Sequence, residues 1–226
     1  MFIGDLMRLA KGLIDKFLAL IALVVLFPIM LLAAIGIKIS SDGPIFYKTK
    51  RMGMGMKPFT IYKFRTMCVG ADKAGAITGK NDSRIFPWGD FLRKTKIDEL
   101  PQLLNILFGT MAVVGPRPED ISIVEKYYTD EEKRTLDVLP GLACPGSIFN
   151  YTHGDEYLKD DDTDEAYVNN FLHIKLALDI YYLDHWSLFY DAEIIVRTVI
   201  AIVMTSALGK KCRLPKEYVY TMSKKA

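Results

Sequence analysis

Cysteine, histidine and tryptophan are scarce in this 226-residue chain, at three, three and two copies, and net charge is only +2. Each scarcity removes a class of protein. Cys68, Cys144 and Cys212 are far apart and odd in number, which fits neither a disulfide framework nor a structural zinc site, so a reducing compartment is expected. His153, His173 and His185 lack the i, i+4 spacing of a helical metal pair, leaving packing or surface roles as the expectation. With Lys+Arg 29 against Asp+Glu 27, and no zinc finger, RNP motif or basic helix, nucleic acid is not an expected partner. There is no P-loop, Rossmann glycine fingerprint, Ser/His/Asp arrangement or internal repeat.

Apolar residues, by contrast, make up half the chain. The run from Phe17 to Ile37 carries no charge and is bounded by Lys16 and Lys38. It is long enough for a hydrocarbon core of about 30 Å and longer than a typical signal-peptide apolar region, so a retained membrane segment is expected. Pro28 sits in its middle, where a missing N–H and a ring clash predict a kink or break. Each half is then about ten residues, roughly 15 Å of helix and half the hydrocarbon thickness. Cations flank both ends: Arg8, Lys11 and Lys16 before, and Lys38, Lys48, Lys50, Arg51 and Lys57 after. A spanning helix concentrates Lys and Arg on its cytoplasmic side. The symmetry favours a reentrant hairpin, with a kinked single-pass anchor as the alternative.

Pro44 to Lys50 and Phe59 to Met67 read as two strands joined by a Gly-containing turn at Met52 to Lys57. The two-residue period puts Lys63 and Arg65 on one face of the second strand, where they would bind a phosphate together or simply meet solvent. Trp88 to Lys94 reads as a short basic helix. Asp98 reads as the N-cap of a helix that tolerates Pro101 in its first turn and stops near Gly109. Glu125 to Leu136 reads as an exposed helix, Pro140 to Gly146 as a turn-rich connection and Asp155 to Glu165 as an acidic loop. Val168 to Leu183 and Phe189 to Leu208 read as helices, the second lying in the membrane surface because Arg197 opposes a full span. The expected class is α+β, mostly α, with residues 1–40 as a membrane-inserted hairpin, 41–208 as the catalytic domain and 209–226 as a tail.

Chemistry concentrates around Asp98 and Glu99. Arg93, Lys94 and Lys96 precede them and Gly115-Pro116-Arg117-Pro118 follows. The two prolines fix the backbone beside Arg117, so its planar fork meets phosphate oxygens with little entropy to lose. A carboxylate at a helix start acts as a nucleophile toward phosphorus once the phosphate charge is neutralised, and magnesium does that with one or two carboxylates plus substrate oxygens. Adjacent helical residues point apart, so Asp98 and Glu99 suit separate roles. The plain structural alternative is that Asp98 caps a helix and Glu99 complements its dipole.

Several motifs in order resemble the bacterial sugar transferases, the monotopic phosphoglycosyl transferases. They are the Pro-broken N-terminal segment, Phe59-Thr60-Ile61-Tyr62-Lys63-Phe64-Arg65-Thr66-Met67, the run from Leu92 to Leu103, and Val113-Val114-Gly115-Pro116-Arg117-Pro118. Pro140-Gly141-Leu142 and Leu178-Asp179-Ile180-Tyr181-Tyr182 with Asp191 also fit, and the likeness covers nearly the whole chain. The resemblance implies transfer of a sugar-1-phosphate from a nucleotide diphosphate sugar, usually a UDP-sugar, to polyprenyl phosphate at the cytoplasmic face of the bacterial inner membrane, with downstream glycosyltransferases as further partners. It also implies Asp98 as nucleophile, Glu99 as the magnesium ligand, Lys63, Arg93 and Arg117 as phosphate holders, UMP release and ping-pong kinetics. Two departures stand out: Phe27-Pro28 where many members have Ser-Pro, and Ala143 to Asn150 where many continue Pro-Gly with Trp-Ala-Gln-Val-Asn-Gly-Arg. Without the extra spanning helices of larger members, the chain reads as a minimal catalytic form. An inert membrane scaffold and a lipid diphosphate hydrolase are the alternatives.

Overall fold

A computed structural model describes residues 2–71, 82–157, 167–210 and 212–223. The described residues divide into two compact units, the first drawn from 2–50, 59–71 and 82–113 and the second from 51–58 and 114–223. The acidic stretch expected as a loop at 155–165 lies mostly outside the described residues, although α5 reaches Tyr157.

The first unit begins with α1 (Phe2–Ser40), about 58 Å long at 1.5 Å per residue. The helix continues through Pro28, whose missing N–H removes one bond from the ladder, so the expected break does not divide the segment into two helices. Ala19, Ala33 and Ile37 are buried on one stripe, with Ala22, Leu23, Leu26, Met30 and Ala34 partly covered between them. These positions recur every three or four residues, which keeps them on one face of the helix. The lower part of the stripe packs on Ile61, Leu103, Ile106 and Met111, and the upper part on Phe64, Phe86 and Leu92. The rest of the circumference is exposed and apolar, including Phe17, Val24, Val25, Phe27 and Leu32. Among the described residues this is the one helix long and apolar enough to cross a membrane.

β1 (Phe46–Met52) and β2 (Pro58–Phe64) pair as the sequence leads one to expect, with a short turn at Met54–Met56. α2 (Pro87–Lys94) also falls where its basic pattern places it, with Pro87 at a position where the missing N–H is harmless. α3 (Gln102–Leu107) is shorter than expected, and β3 (Ala112–Val114) follows.

In the second unit, α4 (Ile121–Tyr127) starts at Asp120, whose carboxylate accepts the Ser122 N–H at 3.0 Å. The expected single exposed helix over 125–136 is instead the end of α4 and a tight turn at Glu132–Leu136, with Thr135 and Leu136 buried. Glu132 breaks the run by accepting both the N–H and the hydroxyl of Thr129. After β4 (Gly141–Ala143) comes α5 (Pro145–Tyr157), a helix not foreseen from sequence. α6 (His173–Asp184) and α7 (Leu188–Ile202) match the two expected helices in their central parts, and each is continued by a wider turn, at Val168–Leu172 and Val203–Ala207. The core of this unit joins Met52, Val124, Leu136, Leu172 and Leu176. Phe149 stacks on Phe171 at 5.3 Å, within an apolar cluster that includes Leu178.

The stretch expected as a tail includes a helix, α8 (Lys216–Ser223), and it is pinned. Arg197 donates to both Glu217 carboxylate oxygens, at 2.7 and 2.9 Å, and Glu217 is fully buried. This two-pronged pairing is the geometry in which guanidinium binds carboxylate most strongly. Arg197 therefore has a protein partner, and the exposed apolar face of α7 is carried by Phe189, Val196, Val199 and Ile200, with Val203 just beyond its end.

Candidate active site

Asp98 and Glu99 lie in a tight turn, Ile97–Glu99, and not at the start of a longer helix. Lys96, just before it, takes the left-handed conformation at φ 59°, which costs a non-glycine residue about 1 kcal/mol or more. That reversal directs both acidic side chains inward, and each is 7% exposed. Pro101 occupies the capping position of α3. Asp98 is thus no N-cap, and its Oδ1 is buried without a hydrogen-bond partner among the described residues. The structural alternative for this residue loses its basis.

Burial raises the Asp98 pKa, and the Glu99 charge raises it further, while Lys63, Lys96 and Arg93 act in the opposite direction. Glu99 Oε1 stands 3.3 Å from Lys63 Nζ and 4.0 Å from Lys96 Nζ. Lys63, expected on phosphate, therefore already faces the acidic pair. Arg93 donates from Nε to Thr66 Oγ1 at 3.0 Å, and burial lowers its pKa against the pull of Asp98 and Asp82. One turn earlier on α2, Gly89 touches the Thr66 backbone so closely that a Cβ there would meet its carbonyl oxygen at 2.2 Å. The glycine lets α2 settle on β2's end and so places Arg93 at the site.

Arg65 does something different from what its strand position suggests. It is 5% exposed, with Nε donating to the Pro44 carbonyl, Nη1 to Ser41 Oγ and the Met67 carbonyl, and Nη2 to the Ser41 carbonyl. Phe86 covers its guanidinium at 5.3 Å. With its donors engaged by three backbone carbonyls and the Ser41 hydroxyl, it fastens the end of α1 to the end of β2 and is not placed to hold a phosphate. Its expected role is corrected accordingly.

Two buried amides were not singled out by sequence. Asn105, 1% exposed, accepts the Tyr62 N–H at 3.1 Å and donates to the Thr60 carbonyl at 2.7 Å, clipping α3 to the free edge of β2. An asparagine inside Leu103-Leu104-Asn105-Ile106-Leu107 was the available signal, since a buried polar group must find partners. Gln102, also 1% exposed, has an Nε2 with no partner among the described residues. It sits four residues after Asp98 in the chain.

Arg117 belongs to the second unit, on the loop between β3 and α4, and its side chain is partly exposed. At the end of that loop Glu119 pairs with Lys175 and accepts from Tyr167 Oη at 2.7 Å. Burial works to raise the Glu119 pKa, but Lys175, Arg51 and Tyr167 together hold it at about 2.

Among the described residues no group of three or more His, Cys, Asp or Glu forms a closed metal cage. Magnesium does not need one, because it binds through one or two carboxylates and takes further oxygens from water and substrate phosphates. The free Oδ1 of Asp98 beside the Glu99 carboxylate fits that pattern.

A family model described as bacterial sugar transferase matches residues 6–205. The chain is 38% identical over 205 residues to a UDP-glucose:undecaprenyl-phosphate glucose-1-phosphate transferase of Xanthomonas campestris pv. campestris, covering 86% of this chain and 39% of that one. It is 36% identical over 196 residues to the UDP-N-acetylgalactosamine-undecaprenyl-phosphate N-acetylgalactosaminephosphotransferase of Aeromonas hydrophila, covering 84% and 42%. A UDP-glucose:undecaprenyl-phosphate glucose-1-phosphate transferase of Caulobacter vibrioides is 37% identical over 212 residues, with 89% and 74% covered. The chain thus spans about two fifths of the first two relatives and about three quarters of the third.

Proposed function

This chain belongs to the bacterial sugar transferase family, and from that premise we propose that it moves a sugar-1-phosphate from a UDP-sugar to polyprenyl phosphate through a covalent aspartyl intermediate. The observation that carries the reading is the buried, unpartnered Oδ1 of Asp98, which neighbours Glu99 and senses the charges of Lys63, Lys96 and Arg93.

In the first half-reaction an Asp98 carboxylate oxygen attacks the phosphorus bonded to the sugar. The bond from that phosphorus to the bridging oxygen breaks, and the oxygen leaves with UMP and its negative charge. In the second, a phosphate oxygen of the lipid attacks the same phosphorus and returns Asp98 as a free carboxylate. Lys63, Lys96 and Arg93 offset the charge that gathers on the phosphoryl oxygens, and Arg117 is proposed to hold the diphosphate. Asp98 and Glu99 would hold magnesium, which supplies electrostatic neutralisation of the phosphates when bound. Incubating the purified chain with a panel of UDP-sugars, polyprenyl phosphate and magnesium tests the proposal. UMP is expected with at least one sugar, and its absence across the panel counts against the activity.

The membrane arrangement proposed is monotopic, on the cytoplasmic face of the inner membrane. α1 keeps one stripe on α2, α3 and the hairpin from Ala19 to Ile37, about 27 Å of its length. Crossing the bilayer over that length would carry β2, α2 and α3 into hydrocarbon together with their polar residues Lys63, Arg93 and Asn105, where unsatisfied groups cost several kcal/mol each. The exposed face of α7 would rest in the headgroup layer as an interfacial helix does. Single cysteines introduced near residues 5 and 45 are expected to label from the same side in oriented vesicles. Labelling from opposite sides would establish a spanning anchor.

A further inference from the structure

The second unit holds a groove of about 710 Å³ that the reaction proposed above does not use. One face of α6 lines it, where His173, Ala177 and Tyr181 recur every four residues and Asp184 follows, about 16 Å of helix in all. Thr129 and Glu132 line it from the chain before α6, and Tyr220 and Thr221 line it from α8. α8 starts beyond residue 205, where the family match ends, so this wall is not part of the matched chain. It is held in place nonetheless. Arg197 grips Glu217, and Tyr218 Oη lies 3.1 Å from Tyr157 Oη.

The lining is rich in acceptors and poor in donors. Among the described residues no Lys, Arg, Asn, Gln or Trp lines the groove, whereas three carboxylates do, those of Glu131, Glu132 and Asp184. Arg134 donates to Oε1 of Glu131 at 3.1 Å and to Oδ1 of Asp184, and each of these two carboxylates keeps its second oxygen unengaged among the described residues. The imidazoles are set as acceptors too. His173 Nδ1 lies 2.6 Å from Glu132 Oε1, and His185 Nδ1 lies 2.8 Å from the Tyr181 carbonyl. A carboxylate and a carbonyl only accept, so each Nδ1 carries a proton and the neutral rings bear their lone pair on Nε2. At the C-terminal end of α6 the walls are rings: Tyr181 stacks on His185 at 4.0 Å, and Tyr220 meets Tyr181 edge to face at 4.8 Å.

We propose that this groove binds a linear organic amine, a diamine or polyamine whose ammonium groups meet the Glu131 and Asp184 carboxylates while its methylenes lie along Ala177 and Ile180. An ammonium group has three donors and no acceptor, which suits this lining. Its charge is attracted both by carboxylates and by the faces of tyrosine rings. An anion would meet hydroxyls alone, with three carboxylates against one guanidinium beside it. The inference is independent of the transferase reading, because amine binding is measured without any UDP-sugar.

The test is a calorimetric titration of the full-length chain, in phosphatidylcholine nanodiscs that carry no net charge, with spermidine against chain-free nanodiscs. Saturable binding at a single site is expected, and octanediol, linear but uncharged, should not bind. Asp184→Asn and Tyr220→Leu should each weaken spermidine binding about tenfold, the scale of one lost cation contact. Glu125→Gln, which neutralises an exposed carboxylate on α4 outside the groove, should leave it unchanged. Asp184→Asn disturbs only a partly exposed pair with Arg134, so that variant is expected to fold even if Tyr220→Leu loosens α8. No saturable binding, equal binding of octanediol, or an affinity that Asp184→Asn leaves unmoved overturns the proposal. A loss as large with Glu125→Gln as with Asp184→Asn marks general attraction to an acidic surface and overturns it too.

Discussion

Replacing Asp98 by asparagine is expected to give a protein that folds at least as well as the parent and transfers nothing. The activity side follows from covalent catalysis. An amide neither attacks phosphorus nor leaves as a carboxylate, so turnover should fall by at least ~10³-fold, the scale seen when nucleophiles are removed. Rapid quenching followed by mass spectrometry should find a phosphosugar on Asp98 in the parent and none in the variant. The stability side follows from the raised pKa, whose first cause is burial. A carboxyl whose folded pKa lies above its unfolded value favours folding while protonated, and that contribution fades as pH rises through the folded pKa. Once ionised, the parent's carboxyl is a buried charge that the amide never carries. The melting temperature of Asp98→Asn should equal or exceed the parent's at pH 7 and show less advantage toward pH 4. A variant that is both inactive and markedly less stable would point to a structural aspartate, and full turnover with an intact adduct would place the nucleophile elsewhere.

Glu99→Gln should also remove most activity, but by a separable route. Its carboxylate is the second cause of the raised Asp98 pKa. Neutralising it lowers that pKa, so the acid limb of adduct formation should move to lower pH even as the plateau rate falls. Loss of one of two carboxylates should also weaken magnesium dependence, and a fall of roughly 10²-fold is expected, comparable to removing one electrostatic stabiliser from an active site. Lys63 loses its partner at 3.3 Å, a partly exposed pair whose contribution to stability is modest. The pH–rate profile of adduct formation, measured against magnesium concentration, checks both effects. An acid limb that stays in place or moves upward would mean that the two carboxylates do not sense each other as proposed.

The hairpin and α2 were legible because period-two alternation, a Gly-containing turn and a proline-started basic run are local signals. Asp98 and Glu99 were singled out by local chemistry too, yet the turn that holds them was misread. Aspartate followed by Pro101 looks like a helix start, and nothing nearby announces that Lys96 adopts a left-handed conformation. Arg65 shows the same limit, since its partners at Ser41 and Pro44 lie 24 and 21 residues earlier in the chain. α5 escaped notice because Gly146, Asn150, Thr152 and Gly154 are poor helix formers. Its Phe149, fully buried against Phe171, supplies the tertiary packing that overrides propensity.

The alanine-rich stripe of α1 makes the membrane segment a load-sharing wall rather than a leash. Ala19 and Ala33 let neighbouring side chains come close, and those neighbours include Leu103 and Leu92, on the helices that flank the Ile97–Glu99 turn. Trimming residues 1–40 to obtain a soluble fragment would uncover that greasy seam and promote clumping in place of a working enzyme. Grafting on an unrelated hydrophobic leader would restore attachment to lipid without restoring fit.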